Sequence, residues 1–201
     1  MKLFYAPGAC SLAPHIVICE GGLDVVLDQV TFGEKRTTQD GRDFFSLNPM
    51  GAVPALELAS GDVLTENQVL MQYLAELKPA AKLGPPASGI ERWRFLETLN
   101  FIATELHKGF NPIYASPPSD FKTTLMEKLT GRFKLLDQKL GSQPFLTGDH
   151  FTIADAYAFT MVNWAQRFGV TVSDNLKAYY DRLKARPGVQ KALTEEGLPL
   201  S

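Results

Sequence analysis

The chain has 201 residues, 45% of them hydrophobic, with 20 Lys and Arg against 22 Asp and Glu and a formal net charge of −2. This composition suits a folded protein with a sizeable core, and the near balance of charge, with no block of five like charges, argues against nucleic acid as a partner. No apolar run is long enough for a signal peptide or a spanning helix, so the expectation is a cytoplasmic protein with no membrane role.

Lys2 to Ala6 is a short aromatic-rich run that predicts a strand, stopped by the turn signal Pro7-Gly8. Leu12, His15, Ile16 and Cys19 then recur at helical spacing, which predicts an amphipathic helix from about Ser11 to Gly21-Gly22. Pro14 falls in its first turn, where a missing N–H costs little. Cys10 therefore stands at or just before a helix N-terminus, where free N–H groups and the helix dipole favour a thiolate. With Ala13 in place of a second cysteine, Cys10 has no partner of the CxxC type. It is either a reactive thiol or a small buried hydrophobe. Cys10 and Cys19 lie too far apart along one helix to form a disulfide, which fits a reducing compartment.

Val25 to Phe32 predicts a second strand with Val26, Val30 and Phe32 on one face, and completes a β-α-β unit. Lys35 reads as a solvated loop charge. Asp43 to Leu47 predicts a short helix ended by Asn48-Pro49. Ala52 to Leu58 predicts a third strand containing Pro54, which must sit at an edge or bulge because it donates nothing to a ladder. A cis Val53-Pro54 bond would turn the Val53 backbone toward an extended peptide-like ligand. Gly61-Asp62 predicts a hairpin return to Leu64. Thr65 to Gln68 then reads as a capping box opening a helix at Glu66, with Leu70, Tyr73, Leu74 and Leu77 as its buried face. The N–H groups of Glu66 and Asn67 suit a carboxylate and the Glu66 side chain an ammonium, although plain capping explains the segment as well.

Pro79 to Ser88 has linker composition, and beyond it the strand signals cease. Domain limits of 1–80, a linker at 81–88 and a helical region over 89–201 follow. A long helix is predicted from Gly89 to about Ala115, with Trp93, Leu96, Leu99, Ile102, Leu106 and Phe110 as apolar positions. Asn100, Thr104, His107 and Lys108 form a polar stripe along it, which calls for water, another chain or a ligand. Phe121 to Leu140 is the next helix, closed by Gly141. Thr152 and Asp155 form a capping box, both in structural roles, for a core helix carrying Ile153, Tyr157, Thr160, Met161 and Trp164. One more helix bears Leu176, Tyr179, Tyr180 and Leu183, and a short one follows Arg186-Pro187-Gly188. His15, His107 and His150 are too scattered to predict a metal, and no phosphate-binding or dinucleotide glycine motif is present.

Together, Lys2 to Ser11, Asn48 to Leu56 around Val53-Pro54, Leu64-Thr65-Glu66, Asn100 with Thr104 to Lys108, and Phe151 to Ala156 resemble the bacterial beta-class glutathione S-transferases. The resemblance covers essentially the whole chain. It implies a thioredoxin-like α/β domain with a mixed four-stranded sheet, then an all-helical domain, in a homodimer that binds glutathione between the two domains. It implies that Cys10 contacts the glutathione sulfur and can form a mixed disulfide with it. Val53, beside a cis Pro54, would pair with the glutathione backbone. Lys35 would approach the glycyl carboxylate, and Glu66 and Asn67 the γ-glutamyl end. His107 would be the second group at the sulfur, with Asn100, Thr104 and Glu105 completing the site, some reaching across the dimer. Asn67 stands where family members usually carry a smaller residue.

The chemistry so implied is attack of the glutathione thiolate on a hydrophobic electrophile, with glutathione as co-substrate and no permanent cofactor. Each unit by which the thiol pKa falls represents about 1.4 kcal/mol of differential stabilisation. Two alternatives remain at this level: a glutathione-dependent disulfide reductase using Cys10 as its own nucleophile, and a non-catalytic carrier of apolar ligands.

Overall fold

The computed structural model describes residues 1–115 and 117–200. Their contacts divide them into two compact units, Met1–Gly84 together with the segment from Arg186 onward, and Pro85–Ala185.

In the first unit, β1 (Lys2–Tyr5), α1 (Leu12–Gly21) and β2 (Val26–Gln29) form the β-α-β unit. After the short pair β3 (Thr31–Phe32) and β4 (Arg36–Thr37) come β5 (Ala55–Glu57), β6 (Val63–Leu64) and α2 (Asn67–Glu76). The main sheet has the order β2-β1-β5-β6, with β1 parallel to β2 and antiparallel to β5, and β5 antiparallel to β6. It is therefore mixed, as expected. Phe4, Val30, Phe44, Val53 and Ala55 form a core cluster on it, with the Phe4 and Phe44 rings 5.6 Å apart.

Three predicted elements change in outline. The single strand over 25–32 is two pieces, because the chain leaves the main sheet after Gln29 and Val30 turns inward. Val26 and Phe32 are exposed, while buried Asp28 holds Lys2 Nζ at 3.0 Å and the Gln39 N–H at 2.8 Å. The third strand starts only at Ala55, just beyond Pro54, since proline cannot join the ladder. The helix expected at Glu66 begins at Asn67, and the Thr65–Gln68 capping box does not form: Glu66 is the cap residue, at φ 65°. Met71 and Ala75, rather than the expected Tyr73 and Leu77, complete the buried face of α2 with Leu70 and Leu74. The helix α1 is buried on nearly all sides, since it packs on both α2 and α8 (Pro187–Glu195).

That last packing also explains the membership of the units. Composition alone groups everything from 89 onward into one helical region, whereas α8 belongs with the first unit. Arg186 pairs with Glu20 at 2.6 Å, and buried His15 on α1 bonds to Glu195 and Glu196 at the end of α8.

The second unit contains α3 (Ile90–Phe101), a π-helical turn (Ile102–His107), α4 (Lys108–Tyr114), α5 (Ser119–Leu140), α6 (Ile153–Phe168) and α7 (Asp174–Lys184). The predicted helix over 89–115 is thus interrupted by a wider turn, a feature found often at functional sites. Phe95 takes the buried place expected of Trp93, which is 64% exposed. Gly109 lets α4 approach α5, because a Cβ there would lie 2.6 Å from Leu129 Cδ2. The central helix α6 starts at the predicted capping box and carries Ile153, Tyr157, Thr160, Met161 and Trp164 buried. No helix among the described residues is long and apolar enough to cross a membrane.

Candidate functional site

The loop between β1 and α1 places Cys10 by a set of short bonds. Ser11 is the helix cap residue, but its side chain turns back, accepting from the Ala6 N–H at 3.1 Å and reaching the Ala6 carbonyl at 3.2 Å. Gly8, at φ 68°, donates its N–H to Glu196 at 2.8 Å. Cys10 follows this turn, immediately before the helix cap, where the positive end of the helix dipole favours sulfur or anion chemistry; the Leu12 and Ala13 N–H groups there are held by the Ala9 and Cys10 carbonyls. Its thiol donates to the Val53 carbonyl at 3.2 Å. The Val53-Pro54 bond is cis, as the sequence allowed.

The start of α2 reaches the same loop. The Asn67 side chain donates to the Cys10 carbonyl at 3.0 Å, and its Oδ1 is buried with no hydrogen-bond partner. Glu66 next to it is exposed and held at φ 65°, ψ 114°. A non-glycine residue there costs about 1–3 kcal/mol and is found preferentially at functional sites. Cys10, Val53, Glu66 and Asn67 are therefore linked in space. Lys35 lies in the exposed bend between β3 and β4 and is not tied to them by any bond. Its neighbour Arg36 anchors that bend, lying over the Phe32 ring and bonding to the Gly51 carbonyl.

In the second unit the π-helical turn carries Thr104, Glu105 and His107. Asn100 and Thr104 are exposed and joined by a bond from the Thr104 hydroxyl to the Asn100 carbonyl. Glu105 pairs with Arg132 at 2.7 Å. His107, half-buried, lies 2.6 Å from the Tyr157 hydroxyl through Nδ1 and packs edge-on against Trp164. Burial, aided by the charge of Lys108, pushes its pKa down to about 4, so the ring is neutral at physiological pH. With Nδ1 engaged by Tyr157, Nε2 is the nitrogen left for a ligand. A neutral imidazole can donate or accept one hydrogen bond there but supplies no full charge.

Thr152 and Asp155 have the structural places predicted for them. The fully buried Asp155 carboxylate accepts from the Thr152 N–H and hydroxyl at 2.8 and 2.9 Å, the Leu146 N–H at 2.9 Å and the Tyr179 hydroxyl at 2.7 Å. Burial raises its pKa while these donors oppose the rise.

Sequence reasoning missed the buried polar group beneath the Cys10 loop. His15 Nδ1 lies 3.0 Å from Glu196 and Nε2 lies 2.7 Å from Glu195. Burial would lower the His15 pKa, but hydrogen bonds to Cys19, Glu196 and Glu195 outweigh it and carry it to about 10. The helical spacing of His15 marks it as inward-facing; nothing local marks partners 180 positions away.

Comparison with known proteins gives a consistent result. Residues 8–77 match the family described as "Glutathione S-transferase, N-terminal domain", and residues 101–187 match "Glutathione S-transferase, C-terminal domain". Over 98% of its length the chain is 43% identical to the whole of the Escherichia coli O157:H7 glutathione S-transferase GstA. A sphingomonad glutathione S-transferase, solved in complex with glutathione, is 39% identical over 99% of this chain and all of that one, with a TM-score of 0.92. The bacterial beta-class enzyme of Sphingomonas chungbukensis is likewise 39% identical over the same shares, at a TM-score of 0.90.

Proposed function

This chain belongs to the glutathione S-transferase family, and on that footing we propose that it joins the glutathione thiolate to hydrophobic electrophiles. The observation that carries the reading is the Cys10 thiol against the Val53 carbonyl, beside a cis proline and under the Asn67 side chain. An extended tripeptide can pair with the Val53 backbone and bring its own sulfur to Cys10. The γ-glutamyl ammonium has two acceptors at the start of α2, the Glu66 carboxylate and the unpaired Asn67 Oδ1. Lys35 is assigned to the glycyl carboxylate, and Asn100, Thr104 and Glu105 to the remaining polar contacts.

In the reaction the glutathione thiol loses its proton to solvent, the thiolate attacks an electrophilic carbon, and the leaving group departs. Cys10 and His107 stabilise the attacking sulfur, His107 by a neutral N–H donated from Nε2. The chain itself supplies no permanent cofactor in this scheme. The family relation favours this chemistry over disulfide reduction or passive carriage.

A homodimer is part of the same proposal. Large apolar side chains are left exposed in both units, including Met50 at 80% and Trp93 at 64%, as expected for surfaces that a second copy covers. The cytoplasm, where glutathione is kept reduced, is the compartment assigned.

The test is thioether formation from glutathione and 1-chloro-2,4-dinitrobenzene near neutral pH, against an enzyme-free control. Saturable turnover in glutathione supports transfer. No turnover, in folded protein that binds glutathione, would overturn it and move the assignment to the Cys10 reductase.

A further inference from the structure

We propose that His15, Cys19 and Glu195 form a binding site for a single borderline-soft divalent cation of the Zn²⁺ type, a site separate from the glutathione-binding residues. His15 and Cys19 are four apart on α1 and so share a face. Glu195 is the last residue of α8, which packs on that face. One donor atom from each of the three, an imidazole nitrogen, a thiol sulfur and a carboxylate oxygen, lies within 4.8 Å of the others. Nitrogen, sulfur and oxygen donors together select Zn²⁺ over Ca²⁺ or Mg²⁺, which take oxygen.

Two of the three donor separations can be set against tetrahedral zinc: one already matches and one must open. Cys19 Sγ and Glu195 Oε2 are 3.7 Å apart, near the roughly 3.6 Å that tetrahedral zinc sets between a sulfur and an oxygen ligand. His15 Nε2 and the same oxygen are 2.7 Å apart and must open to about 3.3 Å. Glu195 can make that movement, because its side chain is 37% exposed, and Lys191 stands off its other oxygen at 3.8 Å. Partial exposure of Cys19 and Glu195 leaves the fourth position to water.

A second observation is independent of these distances. His15 is fully buried, and its Nδ1 faces Glu196 Oε1 at 3.0 Å, while Glu196 Oε2 accepts the Gly8 N–H. This is the carboxylate–histidine arrangement that orients a metal-bound imidazole, with Nδ1–H held inward and Nε2 presented to the cation. Binding replaces the proton on His15 Nε2 and the proton on Cys19 Sγ, so two protons are released to solvent and no oxidant or reductant is needed.

The test is Co²⁺ titration of the full-length, reduced, metal-stripped protein carrying Cys10→Ala, which removes the other thiol. The expected result is a one-to-one complex with a near-ultraviolet thiolate-to-cobalt band and the visible absorption of four-coordinate cobalt, both displaced by Zn²⁺. Adding Cys19→Ser should abolish the thiolate band in protein whose circular dichroism is unchanged. Glu195→Gln should weaken binding by at least the roughly 10- to 100-fold that a second-shell change costs. His15→Gln risks the fold, so these two more exposed ligands carry the test. No band in the folded Cys10→Ala protein, a band that survives Cys19→Ser, or an affinity unmoved by Glu195→Gln would overturn the site. None of these readouts uses turnover, so the transferase assay fails or succeeds separately.

Discussion

The side chain of Asn67 donates a hydrogen bond to the backbone carbonyl of Cys10 at 3.0 Å and keeps its own oxygen buried and unpaired. Losing such a bond costs about 1 kcal/mol, and a buried unpaired acceptor costs about 1–3 kcal/mol, so the two effects oppose each other in Asn67→Ala. The expected outcome is a melting temperature nearly unchanged and a KM for glutathione raised several-fold. An unchanged KM would remove Asn67 from the binding site.

Glu66 is held at a φ of 65°, which a residue with a Cβ adopts at greater cost than glycine. Glu66→Gly should therefore keep or raise stability, by up to about 1 kcal/mol, while glutathione affinity falls through loss of the carboxylate. Chemical denaturation and calorimetric binding read the two effects separately. Lower stability would show that the Glu66 side chain supports the fold.

Cys10 differs from a reductase nucleophile in that the attacking sulfur of the transfer reaction belongs to glutathione. Cys10→Ala should abolish the mixed disulfide, read by mass spectrometry after oxidised glutathione is added, and leave a measurable fraction of conjugation. Complete loss of conjugation with glutathione binding preserved would make Cys10 essential.

His107 should titrate near pH 4 and stay neutral through the physiological range, as its burial requires. Between pH 4 and the usual histidine value of about 6.5 the unfolded chain binds the extra proton, so stability rises with pH across that window and falls on acidification toward 4. His107→Gln should flatten this dependence. In the proposed scheme, where the His107 N–H stabilises the attacking sulfur, the substitution should also lower kcat more than it raises KM. A histidine titration near 6.5 in the folded protein would contradict the neutral role.

The hydrogen bonds of Asp155 hold the start of α6, and the expectation is a part in stability and none in chemistry. In Asp155→Ala the Leu146 and Thr152 N–H groups and the Thr152 and Tyr179 hydroxyls lose one shared acceptor. Several buried donors without partners at about 1–3 kcal/mol each should lower stability by more than 3 kcal/mol. Turnover per folded molecule should be unchanged, and a fall in it would give Asp155 a part in catalysis.

Local patterns in the sequence determined much of this protein. The turn at Pro7-Gly8, the helical period after Cys10, the cis-compatible Val53-Pro54 and the Thr152–Asp155 capping box each depend on neighbours a few residues away, and each has its predicted place. Tertiary structure decided the rest, because the deciding partner is remote or the deciding force is burial. Glu66 is a strained cap instead of part of a capping box, since α2 must deliver Asn67 to Cys10, 57 positions earlier. Burial, with the charge of Lys108 beside it, makes the half-buried His107 a neutral imidazole, which no stripe of polar residues on a regular helix specifies. His15 becomes a charged, doubly bonded centre only when α8 returns across the sequence to α1, and linear spacing holds no record of that meeting.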